Sequence, residues 1–317
     1  MTPLFEGRPP GPLALSILAG AFAIDLTVGE WPTAWHPVVW MGRLQRLLRR
    51  GAPTSPAAAF AYGSFMAVSG PVLFGFGSAF LLNRLHGWRI AWWLTSVCLL
   101  KSSFAIRALG DAARRVAAAL GSGDLAQARV ALRSLVSRPT EGLPSPLLAA
   151  AAVESVAENT SDSVIAPLFY FALAGVPGAL AYRAANTLDS LIGYHGETEW
   201  LGKAAARLDD LLNWLPSRIS AALLVLAAPF GGGSALNAFR IWRRDSGATE
   251  SPNAGQPMAA MAGALGVELE KVGHYRLGAP QPSPGPATIQ RAVTLMGVSC
   301  VLGALIATAL GWLHGRR

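Results

Sequence analysis

Three groups of acidic and amide side chains sit between oily stretches in the middle of this chain. They read Glu154-x-x-x-Glu158-Asn159-x-x-Asp162, Asn186-x-x-Asp189-Ser190 and Arg207-x-Asp209-Asp210-x-x-Asn213. On a helix, Glu154, Glu158 and Asp162 recur at i, i+4 and i+8 and line one face. Like charges at that spacing weaken a helix unless something positive compensates. Mg2+ is the natural candidate, because it takes one or two carboxylates and completes its shell with water and substrate phosphates. The alternative is a solvated face on which Asp162 caps the next segment. Arg183, Asn186, Asp189 and Ser190 also share a face. There, Asn186 and Asp189 can share a metal or hold a substrate amide or hydroxyl; the alternative is an Arg183–Asp189 surface pair contributing less than about 1 kcal/mol.

The third group suits metal-assisted handling of phosphate, with Lys203, Arg207 and Arg218 as anion partners. Its plainer reading is a charged interfacial helix with an i, i+3 pair between Arg207 and Asp210. Gly193, Tyr194 and His195 read as a turn, and a lone histidine there carries little weight. Ser251-Pro252-Asn253-Ala254-Gly255 reads as a turn that presents backbone N–H groups at the start of a helix, a weak anion-binding signal. The chain has no Walker A motif, kinase set or Rossmann fingerprint.

These groups must be positioned by elements that are mostly membrane-grade. Apolar residues make up 52% of the chain and charged residues 14%, against roughly a quarter charged in a soluble domain. The mean hydropathy is positive, which points to an integral membrane protein. A net charge of +8 comes largely from arginines that flank apolar runs, such as Arg43, Arg46, Arg49, Arg50, Arg107, Arg114 and Arg115. That is the pattern of cytoplasmic loops, not of a nucleic-acid surface, so no nucleic-acid partner is expected. Cys98 and Cys300 both lie in apolar runs and form neither a disulfide framework nor a metal spacing.

Apolar runs occupy about 12–28, 57–82, 90–106, 163–182, 219–230 and 292–313. The second, third and last are long enough to span the hydrocarbon; the first is marginal and carries Asp25, and it reads as a retained span, not a signal peptide. Trp88, Trp92 and Trp93 open the third run as interfacial anchors. The fourth holds Gly175, Pro177 and Gly178, so it can break into two half-helices. If it crossed once, the 154–162 and 186–210 groups would face opposite sides of the membrane. A re-entrant hairpin broken near Gly175 and Pro177 keeps them on one side. Residues 107–138 read as amphipathic helix interrupted at Gly121-Ser122-Gly123, with Asp124 as N-cap. Residues 234–286 read as a polar region rich in glycine and proline. No internal repeat or strand-rich region is visible. The expected fold is all-α: one polytopic membrane-embedded domain over residues 1–317, with about four to six spans, broken or re-entrant helices, and polar helical loops forming a membrane-surface site.

Taken in order, the segments resemble one family. They are Glu154-Ser-Val-Ala-Glu-Asn-Thr-Ser-Asp162, Ala166-Pro-Leu-Phe-Tyr170, Gly175-Val-Pro-Gly-Ala179, Asn186-Thr-Leu-Asp-Ser190 with Gly193-Tyr194, Ala206-Arg-Leu-Asp-Asp210 with Asn213 and Pro216-Ser-Arg218, and Ser251-Pro-Asn-Ala-Gly255 with Met258-Ala-Ala-Met-Ala262. Asp25, Trp35-His-Pro-Val38 and Met41-Gly42 add to them near the N-terminus. Together they are similar to the CobD/CbiB family of cobalamin-biosynthesis membrane proteins, the adenosylcobinamide-phosphate synthases. The likeness runs from about residue 13 to 310. It departs at Gly29-Glu30-Trp31-Pro32, where the family has Gly-Asp-Pro.

The resemblance implies an ATP- and Mg2+-dependent amide ligation. A corrinoid carboxylate of adenosylcobyric acid would be joined to the amine of (R)-1-amino-2-propanol phosphate or a close relative. It places the protein in the inner cell membrane with a cytoplasmic site, among membrane lipid and other late enzymes of the pathway. For that chemistry the catalytic candidates are Glu154, Glu158, Asp189, Asp209, Asp210 and His36. Glu158, Asp162, Asp209 and Asp210 are the metal candidates. Asn159, Asn186, Lys203, Arg207, Asn213, Arg218, Ser251 and Asn253 are the substrate- or phosphate-binding candidates. Three rivals stand beside this reading. A transporter predicts inverted repeats, which are not seen. A prenyl- or phosphatidyl-transferase predicts a preactivated diphosphate donor instead of ATP. A purely structural partner has no need for so many carboxylates.

Overall fold

A computed structural model describes residues 11–193, 198–280 and 282–314. Tyr194 and His195 of the expected turn lie outside the described residues. Among those described, the chain forms α1 (Gly11–Thr27), α2 (Pro37–Arg50), α3 (Pro56–Leu85), α4 (Arg89–Lys101), α5 (Ile106–Gly121), α6 (Leu125–Leu132), α7 (Ser145–Thr160), α8 (Ala166–Ile192), α9 (Glu199–Ala227), α10 (Ala235–Asp245), α11 (Gly255–Leu265) and α12 (Pro286–His314). One antiparallel hairpin, β1 (Glu268–Lys271) with β2 (Tyr275–Gly278), precedes α12. Among the described residues four helical stretches are long and apolar enough to cross a membrane: Pro56–Leu85, Ser145–Ile192, Glu199–Gly231 and Pro286–Leu310. This is the all-α polytopic membrane architecture that the composition predicts.

Two spans differ from expectation. The run at 90–106 yields a helix of only 13 residues, α4, too short to cross. Just past its end the Ser102 and Ser103 hydroxyls donate to the carbonyls of Leu99 and Leu100, both at 2.7 Å. The short run at 219–230 is instead the end of a longer stretch, because Pro216 is accommodated inside α9. The charged segment before it is part of the same helix, and averaging over its carboxylates hid the span.

The chain divides into two compact units. The first takes residues up to Ala105, Ala166–Asn213 and Ala304 onward; the second takes Ile106–Ile165 and Trp214–Gly303. In the first unit α3 packs along α8. Gly63 lies so close to the Leu201 carbonyl that any Cβ would collide with it. Around this contact Met66, Ala67, Leu188, Ile192, Leu201 and Ala205 form a buried apolar cluster.

α8 breaks where the sequence predicts. Gly175 takes φ 66° and ψ −160°, a conformation closed to residues with a Cβ. Pro177 then falls in the first turn of the second limb, where its missing N–H costs nothing. The limbs fold back on one another. The Tyr170 and Tyr182 rings stack with centroids 5.1 Å apart, whereas twelve residues of straight helix would separate them by about 18 Å.

In the second unit, α5 and α6 meet at the predicted cap, with the Asp124 carboxylate accepting from Gln127 N–H at 2.8 Å. The alanines of α7 and the small residues of α11 allow close packing, and every residue of α11 is buried. Residues 234–286 are thus not only a polar loop: they supply α10, the buried α11 and the hairpin. β1 packs on α7, and β2 on α11. Arg291 of α12 donates to the carbonyls of Gly231 and Leu265 at 2.6 and 3.3 Å, joining two helix ends.

The first unit also buries a whole ion pair. Lys101 Nζ lies 3.0 Å from Asp25 Oδ1, and both side chains are fully buried. Lys101→Met removes the cation and leaves a buried carboxylate, which costs about 3–5 kcal/mol. We expect a large drop in thermal midpoint in detergent, and partial recovery in Asp25→Asn/Lys101→Met, where neither charge remains. A double variant as unstable as the single one would contradict this account.

Candidate functional site

Within the first unit, two separated motifs meet on one carboxylate. Asp209 Oδ1 accepts from Asn186 Nδ2 at 3.1 Å, and Oδ2 accepts from Asn213 Nδ2 at 2.9 Å. Asn213 is itself held by the Tyr182 hydroxyl, which donates to Oδ1 at 2.8 Å. The Tyr170 hydroxyl donates to the Leu212 carbonyl at 2.9 Å. The fold-back of α8 thus brings both tyrosines to α9, and one of them fixes the amide that fixes Asp209. Arg183 Nη1 donates to Asn186 Oδ1 at 3.2 Å, completing a chain from guanidinium to carboxylate. Asp189 lies against Gly193 at the end of α8. Asp210 is half-buried, with Arg207 Nη1 3.8 Å away. Arg207 and Lys203 are exposed, and Lys203 stacks on Trp200, its Nζ 4.7 Å from the ring centroid.

His36 stands in a second polar group of this unit. Its Nδ1 accepts from Val38 N–H at 3.2 Å and caps α2, so its Nε2 carries the proton that is shared with Glu30 at 2.9 Å. Glu30 also accepts from Lys101 at 2.9 Å. The glutamate that replaces the family's aspartate therefore bridges a histidine and a buried lysine. Burial pushes the Glu30 carboxyl up, but the hydrogen bond from His36 and the charge of Lys101 outweigh it and hold the group below its ordinary 4.5.

The second unit holds the rest. Glu154 is buried on α7, and its Oε2 accepts from Arg138 Nη2 at 2.8 Å. Its Oε1 is buried without a hydrogen-bond partner. Glu158 and Asn159 lie one turn on, half-buried. Asn159 Nδ2 donates to the Ser155 carbonyl at 3.0 Å, and Oδ1 accepts from Ser163 at 2.9 Å. Asp162 falls in a π turn, Ser161–Ile165, so a regular i, i+8 relation to Glu154 is interrupted there. At the start of α11 the Ser251 hydroxyl accepts from the N–H groups of Asn253 and Ala254, both at 3.2 Å. Asn253 Oδ1 accepts from Ser217 at 3.3 Å and Arg218 at 3.4 Å. Arg218 also lies over the Trp214 ring, 4.6 Å from its centroid.

Several partners of these residues escape sequence reasoning. Arg138 and Lys101 are single cations at the edge of apolar runs, and only a buried acid in want of charge would single them out. Lys271 and Tyr275 were hidden in the region read as polar loop. Alternation on either side of Val272-Gly273-His274 is the hairpin signal that could have found them.

The spans and these buried carboxylate–amide groups define a polytopic membrane protein with polar chemistry built into its helices. The family described as CobD/Cbib protein matches residues 18–296, and the chain belongs to it. It is 45% identical to the cobalamin biosynthesis protein CobD of Dehalococcoides mccartyi, covering 93% of this chain and 97% of that one. It is 38% identical to CbiB of Salmonella typhimurium over the same shares, 93% and 97%. With a probable CobD of Pyrococcus furiosus it shares 41% identity over 90% of this chain and 95% of the relative. No solved structure matches.

Two predictions follow from the geometry. Asn213→Ala strips a partner from both Asp209 and Tyr182 and should cost about 1–3 kcal/mol, read as a lower unfolding midpoint; Tyr182→Phe should cost less. A carboxylate with a depressed folded pKa stabilises the fold above its unfolded value and loses that contribution as pH falls through the folded one. Wild-type stability should therefore fall as the pH drops below about 4.5, and Glu30→Gln should lack that part of the acid sensitivity in a pH series of thermal melts.

Proposed function

We propose that this protein joins a corrinoid carboxylate, that of adenosylcobyric acid, to the amine of (R)-1-amino-2-propanol phosphate or a near relative, at the expense of ATP. The observation that carries the reading is the convergence of Asn186, Asp209 and Asn213 on one carboxylate, in a chain of the CobD/CbiB family. A carboxylate is a poor electrophile. Its oxygen attacks the γ-phosphorus of ATP, ADP leaves, and an acyl phosphate remains. The amine then attacks the acyl carbon, phosphate departs, and the amine's extra proton passes to a base.

The donor sets suit Mg2+. Asp209 and Asp210 on α9 offer hard carboxylate oxygens. Among the described residues no three His, Cys, Asp or Glu side chains are grouped to hold a metal ion. Mg2+ usually takes one or two protein carboxylates and completes its shell with water and phosphate oxygens. When bound, Mg2+ neutralises phosphate charge during transfer. The chain's own groups do the rest. Asn186 and Asn213 fix the Asp209 carboxylate, while Lys203, Arg207 and Arg218 are cations for phosphate. The reading places the site on the cytoplasmic side of the inner membrane, near lipid and other late enzymes of the pathway.

The test is an assay of detergent-solubilised protein with adenosylcobyric acid, the amino-alcohol phosphate and Mg-ATP, following corrinoid product by mass. Product should require both ATP and the amine. Asp209→Asn and Asp210→Asn should each lower turnover by about a hundredfold or more while the protein stays folded. Folded wild type that forms no product, or full activity in both variants, would overturn the assignment.

A further inference from the structure

In the second unit, residues that no predicted motif includes stand against the first motif's Glu154 and Glu158. β1 and β2 pair so that Lys271 faces Tyr275 and Leu269 faces Leu277. Directly opposed residues of an antiparallel pair project to the same side, and so do residues two apart on one strand. Lys271, Tyr275, Leu269 and Leu277 therefore share one face. That face is turned inward, because Leu269 and Leu277 are completely buried. The opposite face carries Glu270 and Arg276, paired at 2.8 Å. A turn closes the hairpin, with His274 N–H donating to the Lys271 carbonyl at 2.9 Å and Gly273 at φ 78°. That conformation lets the turn be short enough to set Lys271 and Tyr275 side by side.

The surface that β1 packs on is α7, and there the inward face meets Glu154 and Glu158. Lys271 is close enough to act on the Glu154 charge, and Tyr275 on both glutamates. Burial, and then the charges of Glu154 and Glu158, push the Tyr275 phenol up, so its hydroxyl stays protonated. That hydroxyl donates to Met258 Sδ at 3.8 Å. Arg138 donates to one oxygen of Glu154, the Tyr275 phenol lies within reach of the carboxylate, and Oε1 is buried with no donor in hydrogen-bond geometry. A buried carboxylate oxygen without a donor is costly. A ligand that brings N–H groups would relieve it. The half-buried Lys271 stands beside it as a cation suited to phosphate.

We infer that the hairpin and α7 form the subsite for the amino-alcohol phosphate, with Glu154 Oε1 and Glu158 taking its ammonium group and Lys271 its phosphate. This deepens the ligase reading and rests on it for the identity of the ligand. A zwitterion fits where a simple cation or anion does not. The cluster sets two carboxylates next to two cations, Arg138 and Lys271, so one small molecule with charges at both ends complements it. Tyr275 is a positioning residue whose phenol interacts with both glutamates.

Binding can be measured without turnover, by calorimetry on the full-length protein in detergent. Three probes separate the charges: 1-amino-2-propanol phosphate, 1-amino-2-propanol, and isopropyl phosphate. Wild type should bind the first tighter than either fragment. Lys271→Gln should weaken the phosphorylated amine by about ten- to a hundredfold and bind it no better than the unphosphorylated amine. Glu154→Gln should lose the preference for the amine over isopropyl phosphate. Tyr275→Phe should weaken the intact ligand less than either. Arg276→Gln, which removes a cation from the opposite face of the same hairpin, should leave all three affinities unchanged and control for folding. No binding by wild type, or affinities in Lys271→Gln and Glu154→Gln equal to wild type, would overturn the inference. If that binding pattern holds but no corrinoid product forms, the ligase reading fails and the subsite stands. If product forms and the two variants bind as wild type does, the reverse is true.

Discussion

Lys101 and Asp25, fully buried 3.0 Å apart, display the constraint under which the whole protein is built. In a low-dielectric interior a charge persists only with a partner in good geometry, because an unpaired one costs several kcal/mol. The chain is oily enough that its polar groups cannot all escape to water. Each one that stays inside shapes the helices around it. α4 ends at Lys101, and the loop between α1 and α2 is held where Glu30 meets that lysine and His36. His36 in turn starts α2 by capping it. One buried cation thus organises the ends of three helices in the first unit.

The same constraint explains why amides surround Asp209. Asn186 and Asn213 donate to both oxygens without adding charge, so the carboxylate keeps its direction. Satisfied networks of this kind rigidify their surroundings. The break in α8 serves it too. By folding back at Gly175 the chain lets Tyr182 reach Asn213 and Tyr170 reach the Leu212 carbonyl. A straight helix would carry those tyrosines apart. In the second unit Glu154 Oε1 is among the buried polar atoms left without a hydrogen bond, and it is the one that belongs to a carboxylate.

Much of this was legible from residues alone. Low charge and long apolar runs gave the membrane class, because a span needs about twenty apolar residues whatever surrounds it. Gly175 with Pro177 marked the break, since their backbone restrictions are local. Asp124 was recognisable as a cap for the same reason. Grouping of Asn186, Asp209 and Asn213 was suggested by residue type, and the motif order carried the family. Span lengths were harder. α4 ends at a lysine buried against Asp25, and the length of α9 depends on a proline the helix absorbs. Neither shows in a hydropathy average.

Local chemistry alone dictates the membrane class, the helix break, the cap and the supply of carboxylates and amides. Tertiary structure decided the pairing. That Asp209 takes two amides, that Glu30 bridges His36 and Lys101, and that Lys271 and Tyr275 face Glu154 all depend on contacts between residues far apart in the chain. Such contacts are set by packing and by strand register. A one-residue slip between β1 and β2 would carry Lys271 to the opposite face. No single segment contains that information, because the energy that selects it comes from burying Leu269 and Leu277 together against the rest of the unit.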